Sequence, residues 1–145
     1  MKAVIQRVLH GRVSVDGRTT GEIKHGLVIL LGVEKNDDTQ KSSQLAQKIT
    51  NLRIFSDQAG KMNLSILDVH GSALVVSQFT LMADTRKGNR PSFINAAAPE
   101  TAIPLVDHFA GQLVDLGIPT EKGVFGAHML VEIANDGPVT ILLQI

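Results

Sequence analysis

The chain has 145 residues, with 43% apolar and 19% charged side chains and a formal net charge of zero. That length suits one domain, and the balance excludes a disordered segment and a protein that holds nucleic acid through a broadly basic surface. The absence of cysteine excludes disulfides, thiolate chemistry and a cysteine-based zinc site.

Tyr and Trp are absent and Phe is scarce, so the core must come from Val, Ile and Leu, a set that favours strands. Residues 2–9 alternate, with Ala3, Ile5, Arg7 and Leu9 on one face, and predict a strand that continues through Val13 to Val15. Lys2, Gln6 and Arg7 interrupt this opening, which reads as neither a leader nor a membrane span. Asp16-Gly17 predicts a tight hairpin, with Thr19 to Ile23 as the return strand. Gly26 to Glu34, GLVILLGVE, reads as a strand buried on both faces.

Asn36, Asp37 and Asp38 offer an N-cap to a helix over Thr39 to Leu52, whose Leu45, Ile49 and Leu52 recur on one face. Further strands are expected at Arg53 to Phe55, Asn63 to Asp68 and Ser72 to Leu81. Met82 to Phe93 has no periodicity and reads as a long loop carrying Arg86, Lys87 and Arg90. A second helix is expected to start with Thr101 as its N-cap, so that Pro104 falls in the first turn, and to end at Gly117 and Pro119. Val124 to Ala134 and Val139 to Ile145 complete the count. The sum is a β-rich α+β domain over residues 1–145, about eight strands with two helices.

Five histidines lie without metal-ligand spacing, so neither a metal nor another cofactor is expected. Ser77 is outside any G-x-S-x-G elbow, and no phosphate-cradling glycine motif occurs. The polar cluster Ser77, Gln78 and Thr80 at the end of an apolar strand needs partners, and a substrate is one candidate. Asn135-Asp136-Gly137-Pro138 reads locally as a plain turn, although a Gly-Pro pair also presents carbonyl oxygens with little side-chain competition.

Taken together, VSQFTL at Val76 to Leu81, RPSF at Arg90 to Phe93 and NDGPVT at Asn135 to Thr140 resemble the signature set of the D-aminoacyl-tRNA deacylases. IQRV at Ile5 to Val8, GLVILLGV at Gly26 to Val33, RIFSD at Arg53 to Asp57 and GKMN at Gly60 to Asn63 extend the resemblance along the whole chain. The resemblance implies hydrolysis of the ester that joins a D-amino acid, or glycine, to the 3′ end of tRNA. It implies a compact β-barrel-like fold with flanking helices, a homodimer in the cytoplasm, and no membrane or cofactor. It further implies that a cis Gly137-Pro138 reaches into the partner's site, where its carbonyls read chirality, and that Arg7 braces it. Ser77, Gln78 and Thr80 would then be catalytic and line the ester pocket, with Phe79, Phe125 and Met129 binding substrate. Thr80 is a nucleophile on paper but has no evident base beside it; the alternative that the resemblance implies is that the tRNA's own 2′-hydroxyl assists while the protein mainly positions, and positioning is the favoured reading. In FGAHM, Phe125 to Met129, the family usually carries an acid where His128 stands. The rival reading is a non-catalytic nucleic-acid-binding module using the Arg86 to Arg90 loop.

Overall fold

A computed structural model describes all residues, Met1–Ile145. The chain begins with β1 (Lys2–Val15), β2 (Arg18–Ile23) and β3 (Gly26–Gly32). Asp16 and Gly17 turn β1 into β2 with φ of 49° and 74°, as the Asp-Gly pair predicts. Helix α1 (Thr39–Thr50) follows, capped by the Asp38 side chain, which accepts from the Lys41 amide at 2.8 Å. Next come β4 (Phe55–Ser56), β5 (Met62–Leu64), β6 (Ser72–Ser77), a 3-10 turn (Phe79–Met82), α2 (Pro99–Asp115), β7 (Thr120–Lys122) and β8 (Leu130–Gln144). No helix is long and apolar enough to cross a membrane.

β1 organises the main sheet. Its first half pairs with β3, its second half with β2, and its whole length with β8 on the other edge, all antiparallel. β3, β6 and β7 then run parallel to one another. The sheet curls until β2 meets β7: a Cβ on Gly21 would lie 2.9 Å from the Lys122 carbonyl oxygen. The result is a nearly closed, barrel-like sheet with two flanking helices.

β3 and β6 are buried on both faces because each serves two cores. Leu27, Ile29, Leu31, Ala73 and Val75 join the larger one, formed with Leu45 and Ile49 of α1 and Val106, Phe109 and Leu113 of α2. Val28, Leu74 and Val76 point the other way, into a smaller core with Val8, Val13 and Ile23.

The predicted alternation in β1 breaks after Arg7: Val8 is buried and Leu9 is 62% exposed. The cause lies in β8. Gln6 pairs with Thr140 and Val8 with Asn135, so Asp136 to Val139 are extra residues opposite Arg7. This bulge shifts β1 from the larger core to the smaller one. β8 itself is one strand through the Asn135 to Pro138 segment, not two strands with a turn between them.

Several other expected boundaries move. β5 stops at Leu64 because Asp68 accepts from both the amide and the hydroxyl of Ser65, at 2.8 and 2.7 Å, and folds the chain into a turn. Helix α2 starts at Pro99 with Ala98 as its N-cap, one turn before the predicted Thr101. Pro104 is therefore inside the helix. It deprives only the exposed first-turn Glu100 carbonyl of a partner, and water can replace it. Residues 124–129 form a loop, with Gly126 at φ 74°, and the short β7 precedes it.

Candidate active site

A cavity of about 530 Å³ opens where β3 and β6 end. Val76, Ser77, Gln78 and Phe79 form one wall, and Phe125 to Met129 form another. Ala96, Ala97, Pro99, Ala102 and Val106, at the start of α2, form a third. Twelve of its 17 lining residues are hydrophobic, so a ligand entering it trades water for apolar surface and meets few polar groups.

The polar wall arises from a change of direction. β6 ends at Ser77, and Gln78 donates its backbone amide to the Leu31 carbonyl at 2.8 Å before the 3-10 turn begins. Gly32 permits this crossing, since a Cβ there would lie 2.6 Å from Met82 Cε and 3.0 Å from the Gln78 carbonyl oxygen. The turn lifts Phe79 and Thr80 off the strand that the sequence predicts through Leu81. Phe79 still lines the cavity and packs edge-on against Phe93 at 5.1 Å, which ties the 82–93 loop to the site. Asp84 and Ser92 close that loop with a bridge, and the Arg86 guanidinium holds the Asp84 carboxyl down to about 2.

Ser77, Gln78, Phe79, Phe125 and Met129 line this one cavity. Thr80 does not line the cavity. Its Oγ1 accepts from the side-chain amide of Gln78, which does line it. A threonine hydroxyl engaged in this way, with no base beside it, is a weak nucleophile.

Gly137 and Pro138 are exposed and do not line this chain's own cavity; the bond between them is cis. Arg7 holds the segment from beneath. Its Nε donates to the Asp136 carbonyl at 3.1 Å and lies 3.0 Å from the Asp136 carboxylate. Its Nη1 donates to the Ile54 carbonyl at 2.7 Å. Asn135 ties off the other end, its Oδ1 accepting from the Val139 amide at 2.8 Å. A Cβ on Gly137 would lie 2.9 Å from the Val139 nitrogen, so this backbone path requires glycine.

Sequence reasoning missed the α2 wall. The signal was the run Ala96-Ala97-Ala98 before Pro99, where small side chains leave room instead of filling it. No three His, Asp or Glu side chains gather into a metal-binding group.

An apolar hollow with a short polar wall, on a barrel-like α+β scaffold, suits an ester hydrolase that positions its substrate. The description D-Tyr-tRNA(Tyr) deacylase belongs to the family model that matches residues 4–144. A D-aminoacyl-tRNA deacylase of Geotalea uraniireducens is 57% identical over 99% of this chain and 93% of its own length. One from Thermomicrobium roseum is 59% identical over 99% and 94%. A solved structure named c-Myc DNA unwinding element binding protein superposes with a TM-score of 0.95 at 41% identity, covering 100% of this chain and 99% of that one. A probable eukaryotic D-amino acid tRNA deacylase shares the fold, with a TM-score of 0.85 at 14% identity over 99% of this chain and 98% of that one. The chain belongs to the D-aminoacyl-tRNA deacylase family. It is a hydrolase that acts on the ester of aminoacyl-tRNA.

Proposed function

We propose that this chain works as a single unit over residues 1–145, in a cytoplasmic homodimer that clears both D-amino acids and glycine from tRNA. One protomer supplies the cavity, and the other supplies Gly137 and Pro138 to complete it. The observation that carries this reading is the separation of the two parts: an exposed segment braced by a buried arginine, outside a cavity whose lining holds no carboxylate to pair with an α-ammonium. The outer edge of β8, which pairs only with β1, and the exposed Leu130 and Leu142 offer a surface for the partner.

Carbonyl oxygens of Gly137 and Pro138 accept from the ammonium group. With ammonium and ester both fixed, an L side chain runs into the filter's backbone and a D side chain points away. Glycine has no side chain to reject, so its ester is cleaved too. Ser77 and Gln78, with the unpaired first amides of the 3-10 turn, face the ester and hold its carbonyl oxygen as charge develops there. Phe79, Phe125 and Met129 supply apolar contact. Thr80 orients Gln78, and the tRNA's terminal 2′-hydroxyl assists the attack on an ester that is already activated.

Matched D-Tyr-, L-Tyr- and Gly-tRNA test this reading with purified protein. Release from the D and Gly esters with the L ester spared is the expected result. Equal release from the L ester would overturn the filter. A second reading comes from the name of the 41% identical solved structure, that this fold also binds DNA. It predicts duplex DNA binding that Lys87→Ala and Arg90→Ala weaken, with a shallower salt slope.

A further inference from the structure

His128 is the one titratable side chain among the 17 residues that line the cavity. The other four histidines have work elsewhere. His10 pairs with Glu22 at 2.7 Å, and His108 Nδ1 meets the Ser42 hydroxyl at 3.0 Å. His25 packs edge-on against Phe55 at 5.1 Å, and His70 turns the chain with φ 51°. His128 has no hydrogen-bond or ion-pair partner within the chain. It is exposed, so it stands at the mouth of the cavity and not in its depth.

The loop that carries it is held firmly. The Gly123 amide donates to the Val75 carbonyl at 2.9 Å, and the Ala127 amide to the Val124 carbonyl at 3.2 Å. A Cβ on Gly123 would lie 2.7 Å from Met129 Sδ, so loop and cavity wall pack without a gap. This loop thus presents an imidazole, a donor in either protonation state, at the entrance to an otherwise uncharged hollow.

We propose that His128 binds the phosphodiester on the 5′ side of the substrate's terminal nucleotide. This deepens the functional reading above and rests on it. The aminoacyl ester and terminal nucleoside fill the cavity, while the remainder of the tRNA stays outside. The strand linking them must cross the mouth, and the group that crosses is the phosphodiester. It carries the only negative charge on that part of the substrate. An imidazole N–H donating to a phosphate oxygen is a charge-assisted contact.

The test compares two small substrates, a D-aminoacyl-adenosine and the corresponding D-aminoacyl-CpA dinucleotide, which adds the phosphodiester. Wild-type protein is expected to favour the dinucleotide in KM. His128→Ala should raise KM for the dinucleotide by about tenfold with kcat held, the size of a lost hydrogen bond to a charged group, and so erase that preference. His128→Gln should restore part of it by donating an N–H, and His128→Asp should fall below alanine through like-charge repulsion. A fall in kcat on the phosphate-free adenosine ester would overturn the proposal by putting His128 at the chemistry. An unchanged KM for the dinucleotide in His128→Ala would overturn it by removing the contact. Failure of wild-type protein to cleave either ester would instead strike the functional reading on which the proposal stands.

Discussion

Replacing Arg7 by Met separates the two duties of that side chain. Methionine keeps the length and apolar stem but removes the guanidinium. The Ile54 carbonyl is buried and loses its 2.7 Å donor; the Asp136 carbonyl is part-buried and loses its 3.1 Å donor. A buried orphaned group costs about 1–3 kcal/mol, and the Asp136 groups recover some water, so the sum is about 2–4 kcal/mol. With a urea m-value of about 2 kcal/mol/M, the unfolding midpoint should fall by about 1–2 M, leaving a folded protein in buffer. The second duty is functional. Without its brace the Asp136 to Val139 segment is free to shift, and a displacement of about 1 Å in a positioning group can cost on the order of a hundredfold in rate. Urea titration by circular dichroism and single-turnover deacylation of D-Tyr-tRNA give both numbers on one sample. Arg7→Lys should fall between the two, since a compact ammonium keeps the charge and donors but lacks the planar fork whose Nε and Nη1 reach the two carbonyls. A folded Arg7→Met protein with the wild-type rate and undiminished D-over-L preference would refute the assignment of Arg7 as the brace.

Thr80→Ala should keep appreciable deacylation, because Thr80 is not among the cavity's lining residues and its hydroxyl accepts from Gln78 with no base beside it; near-complete loss of turnover in a folded variant would sink the positioning mechanism. Gly26→Ala should be destabilised by about 3 kcal/mol or more, as its Cβ would fall 1.8 Å from the Ser72 carbonyl oxygen where β3 and β6 begin to pair; thermal melting checks this. Asp37 is buried beneath the Met1 ammonium at 2.8 Å, and Asp37→Asn should cost about 3–5 kcal/mol at neutral pH. Burial pushes this carboxyl up, but hydrogen bonds from the Met1 ammonium, the Glu34 amide and Lys41 outweigh it and hold it below the usual range. Its stabilisation is therefore complete above the ordinary carboxylate pKa and is lost as pH falls through the lowered one. Wild-type stability should drop more steeply than that of Asp37→Asn below about pH 4.

What could be read from the sequence was local. Asp16-Gly17 is a turn wherever two strands flank it, and Asp38 caps α1 through its own side chain. The doubly apolar β3 and β6 runs reflect burial on both faces. The misread boundaries depend on residues distant in the chain. Ser77 to Leu81 has good strand propensity, yet the strand ends because Gly32 lets the chain cross at Gln78. Leu9 continues the apolar alternation on paper, but extra residues in β8 reverse its face. In the site, Ser77, Gln78 and Phe79 stood out as polar or aromatic residues where packing does not require them. Ala96, Ala97 and Ala102 did not, because their contribution is the space they leave unfilled. Thr80 looked equivalent to Ser77 until the 3-10 turn separated them.

The most direct measurement of the central claim is subunit complementation. One variant, Ala97→Trp, fills the cavity; the other, Gly137→Ala, damages the projecting segment, where the new Cβ would lie 2.9 Å from the Val139 nitrogen. Each is first confirmed to be folded and dimeric, then assayed on D-Tyr-tRNA alone and after subunit exchange. If each site takes its filter from the partner, a mixed dimer holds one intact site, and random exchange should restore about a quarter of wild-type activity from two inactive parents. If cavity and filter act within one chain, the mixture will stay as inactive as its parents, and the account of a shared site is wrong.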